Sequence, residues 1–256
     1  MKRRTFTRRE MLFRSSVGLG GLVLGGCDRL TESPSFRQML ESAERLTYRG
    51  QRALFGSRAL APEFGEADLS PTFRSNGTSS PDSLEYRNLA LDQFRRWQLK
   101  VQGLIAQPLD LSLAALRLMP SRTQITRHDC VEGWSAIGKW TGVPLSSVLN
   151  MARLSPSARF VVFHCADSLE KDADPYYESI DLVDAFHPQT LLAYELNGLP
   201  LPIANGAPLR LRVERQLGYK QAKYLMRIEV LARLDHVQSG RGGYWEDRGY
   251  EWYAGI

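Results

Sequence analysis

The sequence is poor in cysteine, in surplus charge and in long apolar runs, and each shortage removes a class of protein. Three cysteines in 256 residues are too few for a disulfide framework, and the odd count leaves at least one thiol unpaired. The net charge is +5, but residues 1–26 hold six basic side chains against Glu10 and account for all of it; the rest carries 27 basic and 27 acidic residues. A body with no basic surplus lacks the electrostatic footprint of a nucleic-acid binder. The uncharged, Gly-rich stretch Ser15 to Gly26 is shorter than the roughly 20 apolar residues that span a bilayer. There is no internal repeat and no low-complexity tract. What remains is ordinary: 43% hydrophobic and 24% charged residues belong to a globular chain long enough to bury a substantial core.

A basic region followed by a short apolar one has the layout of an export signal. Within it, Thr7-Arg8-Arg9-Glu10-Met11-Leu12 resembles the twin-arginine signal, which carries folded proteins across the bacterial inner membrane. Leu24-Gly25-Gly26-Cys27 resembles a lipobox, which would put an acyl chain on Cys27 and hold the protein at the membrane surface. The competing reading is a soluble periplasmic protein in which Cys27 is incidental. Both place the protein in the periplasm.

Residues 28–75 read as a tether and lead-in, with one helix over Phe36 to Leu46. Ser75 to Pro81 is a turn cluster. Strands are expected at Trp97 to Val101, Arg159 to Cys165, Leu191 to Leu196, Leu209 to Val213 and Leu225 to Leu231. Helices are expected at Leu109 to Met119, Leu145 to Ala152 and Ile180 to Phe186. Asn197-Gly198 signals a hairpin. Helices and strands mix without the regular alternation of a doubly wound sheet, which gives an α+β fold.

His128 and Cys130, with His164-Cys165, are the sulfur and imidazole groups grouped in the chain. Their spacing does not match the Cys-x2–4-Cys or His-x3–5-His pairs of zinc sites. Cys165, inside a β-rich run, reads as a small buried hydrophobe. Cys130 lies where a strand enters a loop, and a thiolate there suits a soft metal.

Cys130-Val131-Glu132-Gly133-Trp134-Ser135, then Trp140-x-Gly142-Val143-Pro144-Leu145, resembles the molybdopterin-binding domain of the sulfite oxidase family. Leu192 to Pro202, Asn205-Gly206-Ala207-Pro208-Leu209-Arg210-Leu211 and Gly218-Tyr219-Lys220-x-x-Lys223 continue the resemblance in order, over roughly residues 70–256. It implies a mixed-sheet α+β domain over residues 76–256, preceded by a signal over 1–27 and a tether over 28–75. It also implies a molybdenum-molybdopterin cofactor, with Cys130 as the metal-ligating thiolate. Asn205, Arg210 and Lys223 match cofactor-binding positions, Asn76 matches another contact in a looser alignment, and Cys165 falls at a further cofactor-side position. A forked guanidinium at Arg210 suits the cofactor's phosphate. Tyr176 matches a tyrosine on the substrate side, with Tyr177 as its competitor.

The departures bear on substrate. Trp134-Ser135-Ala136 lacks the arginines that follow the ligand cysteine in animal and plant sulfite oxidases. Asn205 stands where those enzymes have histidine; asparagine is typical of bacterial members that reduce protein methionine sulfoxide. Cys165 stands where that reductase branch has threonine. The expected activity is oxygen-atom transfer at sulfur, with sulfoxide reduction ahead of sulfite oxidation. The substrate would be a small or protein-bound sulfur compound. Without a Cys-x-x-Cys-His haem site, electrons would come from a separate haem protein or quinol-linked membrane subunit. The tail after Leu231 is too short for the family's dimerisation domain, so a monomer is expected. Two other readings stay open: a zinc-bound or metal-free binding module using His128, Cys130, His164 and Cys165 structurally, and a redox-passive lipoprotein scaffold.

Overall fold

The computed structural model describes residues 33–56, 59–170 and 173–256. The twin-arginine-type segment and Cys27 lie outside them. The chain divides into two units, Met1–Leu54 and Phe55–Ile256. In the first, Pro34–Phe55 forms one helix, α1. Pro34 occupies the first helical position, where its missing N–H costs nothing. The helical run continues beyond Leu46, and Gly56 ends it in a left-handed conformation. The helix is therefore longer than the Phe36 to Leu46 span expected.

In the second unit the elements are α2 (Leu84–Leu91), β1 (Gln98–Gly103), β2 (Leu109–Ser112), α3 (Leu113–Leu118), β3 (Arg122–Asp129), β4 (Ser135–Pro144), α4 (Leu145–Ala152), β5 (Phe160–Cys165), β6 (Tyr177–Asp181), α5 (Leu182–Ala185), β7 (Leu191–Leu196), β8 (Leu199–Pro200), β9 (Arg210–Arg212) and β10 (Leu225–Leu231). One sheet has the order β2-β1-β10-β5-β6, with β1 and β10 parallel and the other neighbours antiparallel. The second has the order β3-β4-β7-β8, with β9 also paired to β7, and is antiparallel throughout. Leu99, Val101, Val161, Phe163, Ile180, Ile228 and Val230 from the first sheet meet Val143, Leu192 and Leu211 from the second, Leu209 just before β9, and Val148 and Leu149 from α4 in one buried core. This is the mixed-sheet α+β architecture expected.

Two expected helices begin too early. Leu109–Ser112 is strand, because its backbone completes the edge of β1, and the helix starts only where Ser112 accepts the N–H of Ala115 at 3.1 Å. Tyr177–Asp181 pairs with β5, and Asp181 caps α5 by accepting from the Asp184 N–H at 2.8 Å. Gly103 shows why β1 ends where it does. Its φ is +98°, and a Cβ there would lie 2.3 Å from the Val230 carbonyl oxygen, so only glycine fits.

β3 and β4 carry little hydrophobic signal. The buried face of β3 is Gln124, Thr126 and His128. Those polar groups find partners across the sheet. Arg212 grips Glu214 through two contacts, Nε–Oε1 at 2.9 Å and Nη2–Oε2 at 2.5 Å. Its Nη1 meets His128 Nδ1 at 2.9 Å, and Gln124 donates to Glu214 at 2.9 Å. The Arg212 guanidinium also lies 4.4 Å over the Trp140 ring. Residues 59–75 run along this sheet: Phe64 N–H donates to Ile125 O at 2.9 Å, and Phe73 packs edge-on against Trp140 at 4.9 Å.

Candidate active site

β3 delivers Cys130 to its C-terminal end. A tight turn follows, in which Gly133 N–H donates to Cys130 O at 3.0 Å and Cys130 N–H to Trp134 O at 2.9 Å. The thiol sits at the wall of a cleft of about 190 Å3 that also receives Asn76, Tyr176 and Lys223. Four of the seven expected site residues thus converge from well-separated parts of the chain.

Lys223 ties two sides of this cleft together. Its ammonium donates to the carbonyls of Asn76 at 2.6 Å, Ala204 at 3.2 Å and Thr78. Burial, with Arg210 nearby, lowers its pKa to about 7. Tyr176 donates its hydroxyl to Tyr219 O at 2.6 Å, and burial pushes its pKa well up, so it is a neutral phenol. Its competitor Tyr177 does not line the cleft; its hydroxyl donates to Asp247. Burial also raises the Cys130 thiol, against the opposing pull of Arg74 and Arg210.

The other three expected residues are buried and do not line the cleft. Arg210 is fully enclosed; Nη1 donates to Asn205 O at 2.9 Å, Nη2 to Gln221 O at 3.4 Å, and the guanidinium stands 5.0 Å over Trp140. Burial brings its pKa down to about 9. Asn205 ends a short 3-10 turn, with its amide 3.5 Å from Phe73 O. Cys165 closes β5, and its N–H donates to Tyr176 O at 2.9 Å. Its thiol is pushed well up by burial.

The zinc arrangement is not formed. His128 faces Arg212, and His164 pairs with Glu229 at 2.9 Å across β10. Among the described residues no group of three or more His, Cys, Asp or Glu side chains is placed to hold a metal.

Several lining residues were not singled out from sequence. Asp167 accepts from Thr78 at 2.5 Å, and burial raises its pKa. Glu132, Gln221, Leu169, Trp245 and Tyr250 complete the wall. Trp245 and Tyr250 stack at 5.1 Å, and Tyr219 meets Tyr250 edge-on at 5.4 Å. Next to Tyr219, the Lys220 ammonium is fully buried and held by Glu178 and Glu246, each at 2.5 Å. The density of aromatics in the tail was the one sequence signal for this wall; the buried charge cluster had none.

The cleft and its surroundings fit a large polar group. Asn76 Oδ1 and Arg210 Nε are buried without a hydrogen-bond partner, and unsatisfied buried polar atoms in a native fold call for a ligand or water. A soft sulfur donor stands at one wall.

Comparison with known proteins agrees with this chemistry. Residues 87–237 match the family model described as oxidoreductase molybdopterin binding domain. A putative protein-methionine-sulfoxide reductase subunit from Azospira oryzae is 39% identical over 248 residues, covering 96% of this chain and 87% of that protein. A protein-methionine-sulfoxide reductase catalytic subunit from Xanthomonas axonopodis pv. citri is 40% identical over 147 residues, 54% of this chain and 46% of that protein. The match thus spans about half the length of that relative. Among solved structures, the sulfane dehydrogenase SoxCD from Paracoccus pantotrophus superposes with a TM-score of 0.50 at 22% identity, over 54% of this chain and 39% of that one. That likeness is one of fold.

Proposed function

The chain belongs to the oxidoreductase molybdopterin-binding domain family, and on that premise we propose that its cleft reduces a sulfoxide to a thioether. The enzyme class and the molybdenum-molybdopterin cofactor come with the family. The observation that carries the reading of the site is the convergence of Cys130 with Asn76, Tyr176 and Lys223 on one cleft. Cys130 would supply the thiolate to molybdenum; a metal ion deprotonates a coordinating thiol outright, overcoming the effect of burial. Asn76 and Lys223 would hold the pterin on the cleft side. Arg210 would stand behind it with its Nε unpaired, held in place by the Asn205 carbonyl. Cys165 would act only through the β5–Tyr176 contact.

When bound, the cofactor supplies a two-electron centre able to accept an oxygen atom. The overall reaction consumes two electrons and two protons, turning one sulfoxide into one thioether and one water. Tyr176, its hydroxyl fixed on Tyr219 O, would bound the substrate side of the cleft with its ring. Glu132 and Asp167 stand against Lys223 in the lining, a balance that suits a neutral sulfoxide better than the sulfite anion. The aromatic and apolar wall of Trp245, Tyr250, Val131 and Leu169 suits the alkyl groups on sulfur.

The names of the relatives support protein-bound methionine sulfoxide as substrate and a separate redox subunit as electron source. The haem or quinol-linked character of that partner, periplasmic export by the twin-arginine signal, anchoring through Cys27 and a monomeric catalytic subunit rest on the sequence reading.

The test is elemental analysis together with turnover. Protein expressed in a cofactor-competent bacterium should hold about one molybdenum per chain and reduce a methyl sulfoxide with a reduced viologen dye. Cys130→Ser should fold and lose both properties, because a hydroxyl is a weak ligand for a soft metal. Full turnover by Cys130→Ser, or faster sulfite oxidation than sulfoxide reduction in the parent protein, would overturn the reading.

A further inference from the structure

A second pocket, of about 270 Å3, shares no lining residue with the cleft of Cys130. It lies between residues 59–64, β3 and the chain just after β9. Each of these walls is tied down. Gln189 accepts the Ala61 N–H at 2.8 Å and donates to the Ala61 carbonyl at 3.0 Å. Glu63 bridges to Thr126 on β3, and Ile256 donates its N–H to the Arg215 carbonyl at 3.0 Å. The pocket is therefore a built part of the fold.

Its charges do not balance. Among the described residues the ionisable side chains lining it are Arg127, Asp129, Glu214 and Arg215. Arg127 Nε holds Asp129 at 2.9 Å. Glu214 accepts from Arg212 Nε at 2.9 Å and from Gln124 at 2.9 Å. These pairs leave out Arg215. Its side chain is buried, with 7% of the residue exposed, and its Nη1 has no hydrogen-bond partner. Among the described residues it makes no ion pair, because the two carboxylates beside it are already engaged. A buried charge without a partner is costly, and an anion in the pocket removes that cost.

The rest of the lining selects the anion. Leu60, Pro62, Phe64 and Ile256 are apolar, so the occupant carries an apolar group beside its charge. Asp129 and Glu214 on the same walls repel a second negative charge, which favours a monoanion over a phosphate or sulfate dianion. A planar carboxylate matches the fork of a guanidinium. An apolar cavity of roughly 150 Å3 takes one benzene ring, so this pocket has room for a ring and a carboxyl group. Leu60 and Ile256 are 59% and 56% exposed and form the rim by which such a molecule enters.

We infer that this pocket binds a small aryl or branched-alkyl monocarboxylate, with its carboxylate on Arg215 and its apolar group against Phe64. The inference does not rest on the proposed catalytic function.

The experiment titrates benzoate into the full-length, cofactor-loaded protein by isothermal calorimetry, with benzamide as the neutral isostere. Benzoate should bind saturably at one site, and benzamide at least about tenfold more weakly. A saturating methyl sulfoxide should leave the benzoate affinity unchanged, because the two pockets share no lining residue. Arg215→Met removes the cation, keeps a long side chain in its place, and should lower the benzoate affinity at least about tenfold. Leu60→Glu lies at an exposed position, so the fold should be kept, which circular dichroism checks. It sets a competing carboxylate at the rim and should weaken benzoate several-fold, so the test stands even where Arg215→Met does not fold. Four results would overturn the inference: no saturable binding at millimolar benzoate, equal affinity for benzamide, unchanged affinity in either folded variant, or displacement of benzoate by the sulfoxide.

Discussion

The ammonium of Lys223 is held by backbone carbonyls, and a pH dependence follows from that. An unfolded lysine titrates near pH 10.4, whereas in the cleft the value is about 7. Between these limits the unfolded chain binds the extra proton, so stability of cofactor-free protein rises with pH. From pH 7 to pH 9 this one group should add on the order of 2 kcal/mol. Lys223→Met should flatten that slope in urea titrations at the two pH values; an unchanged slope would show that the lysine stays charged when folded. Residues of this kind were legible from sequence because they sit in short motifs: Cys130 in Cys-Val-Glu-Gly-Trp, Lys223 after Gly-Tyr-Lys. The Lys220 cluster was not. Its partners lie 42 and 26 residues away, and no local pattern links a lysine to glutamates so distant. Arg210 was legible as a residue but not in its placement, because nothing local distinguishes a guanidinium that opens on a cleft from one clamped to carbonyls behind it.

Among the elements, strands with an apolar buried face were readable and strands with a polar one were not. β5, β7 and β10 announce themselves by runs of valine, leucine and isoleucine. β3 does not, because Gln124, Thr126 and His128 fill its buried face and find partners on Arg212, Glu214 and the Gln189 carbonyl. β2 was hidden for another reason: Leu109 to Met119 has helical spacing, and the free edge of β1 overrides it over four residues. At Gly103 the close approach to Val230 gives a sharp expectation. Gly103→Ala combines a left-handed φ with a clash against backbone that cannot yield, and should cost about 2–4 kcal/mol in chemical denaturation. A loss below about 0.5 kcal/mol would mean that β1 and β10 separate more easily than their pairing indicates.

At the scale of the molecule, one buried cation ties distant segments together. Lys220 joins β6 through Glu178 to the tail through Glu246, and the tail brings Trp245 and Tyr250 to the cleft. Lys220→Met strands two carboxylates in the interior and should destabilise the fold by about 3–5 kcal/mol. Glu246→Gln keeps an acceptor for the ammonium and should cost less. Tryptophan fluorescence during urea unfolding separates the two variants, and equal losses would argue against a charge-based tie. The placement of β10 has a consequence for synthesis. This strand lies in the middle of its sheet, between β1 and β5, yet it is the last strand among the described residues. A nascent polypeptide emerging from the ribosome therefore holds two unpaired strand edges open until Leu225–Leu231 has appeared. Such edges template pairing with other chains. Premature termination before Leu225 would leave the gap permanent, so shortened translation products of this protein should be found in aggregates or on chaperones, not as partly active enzyme.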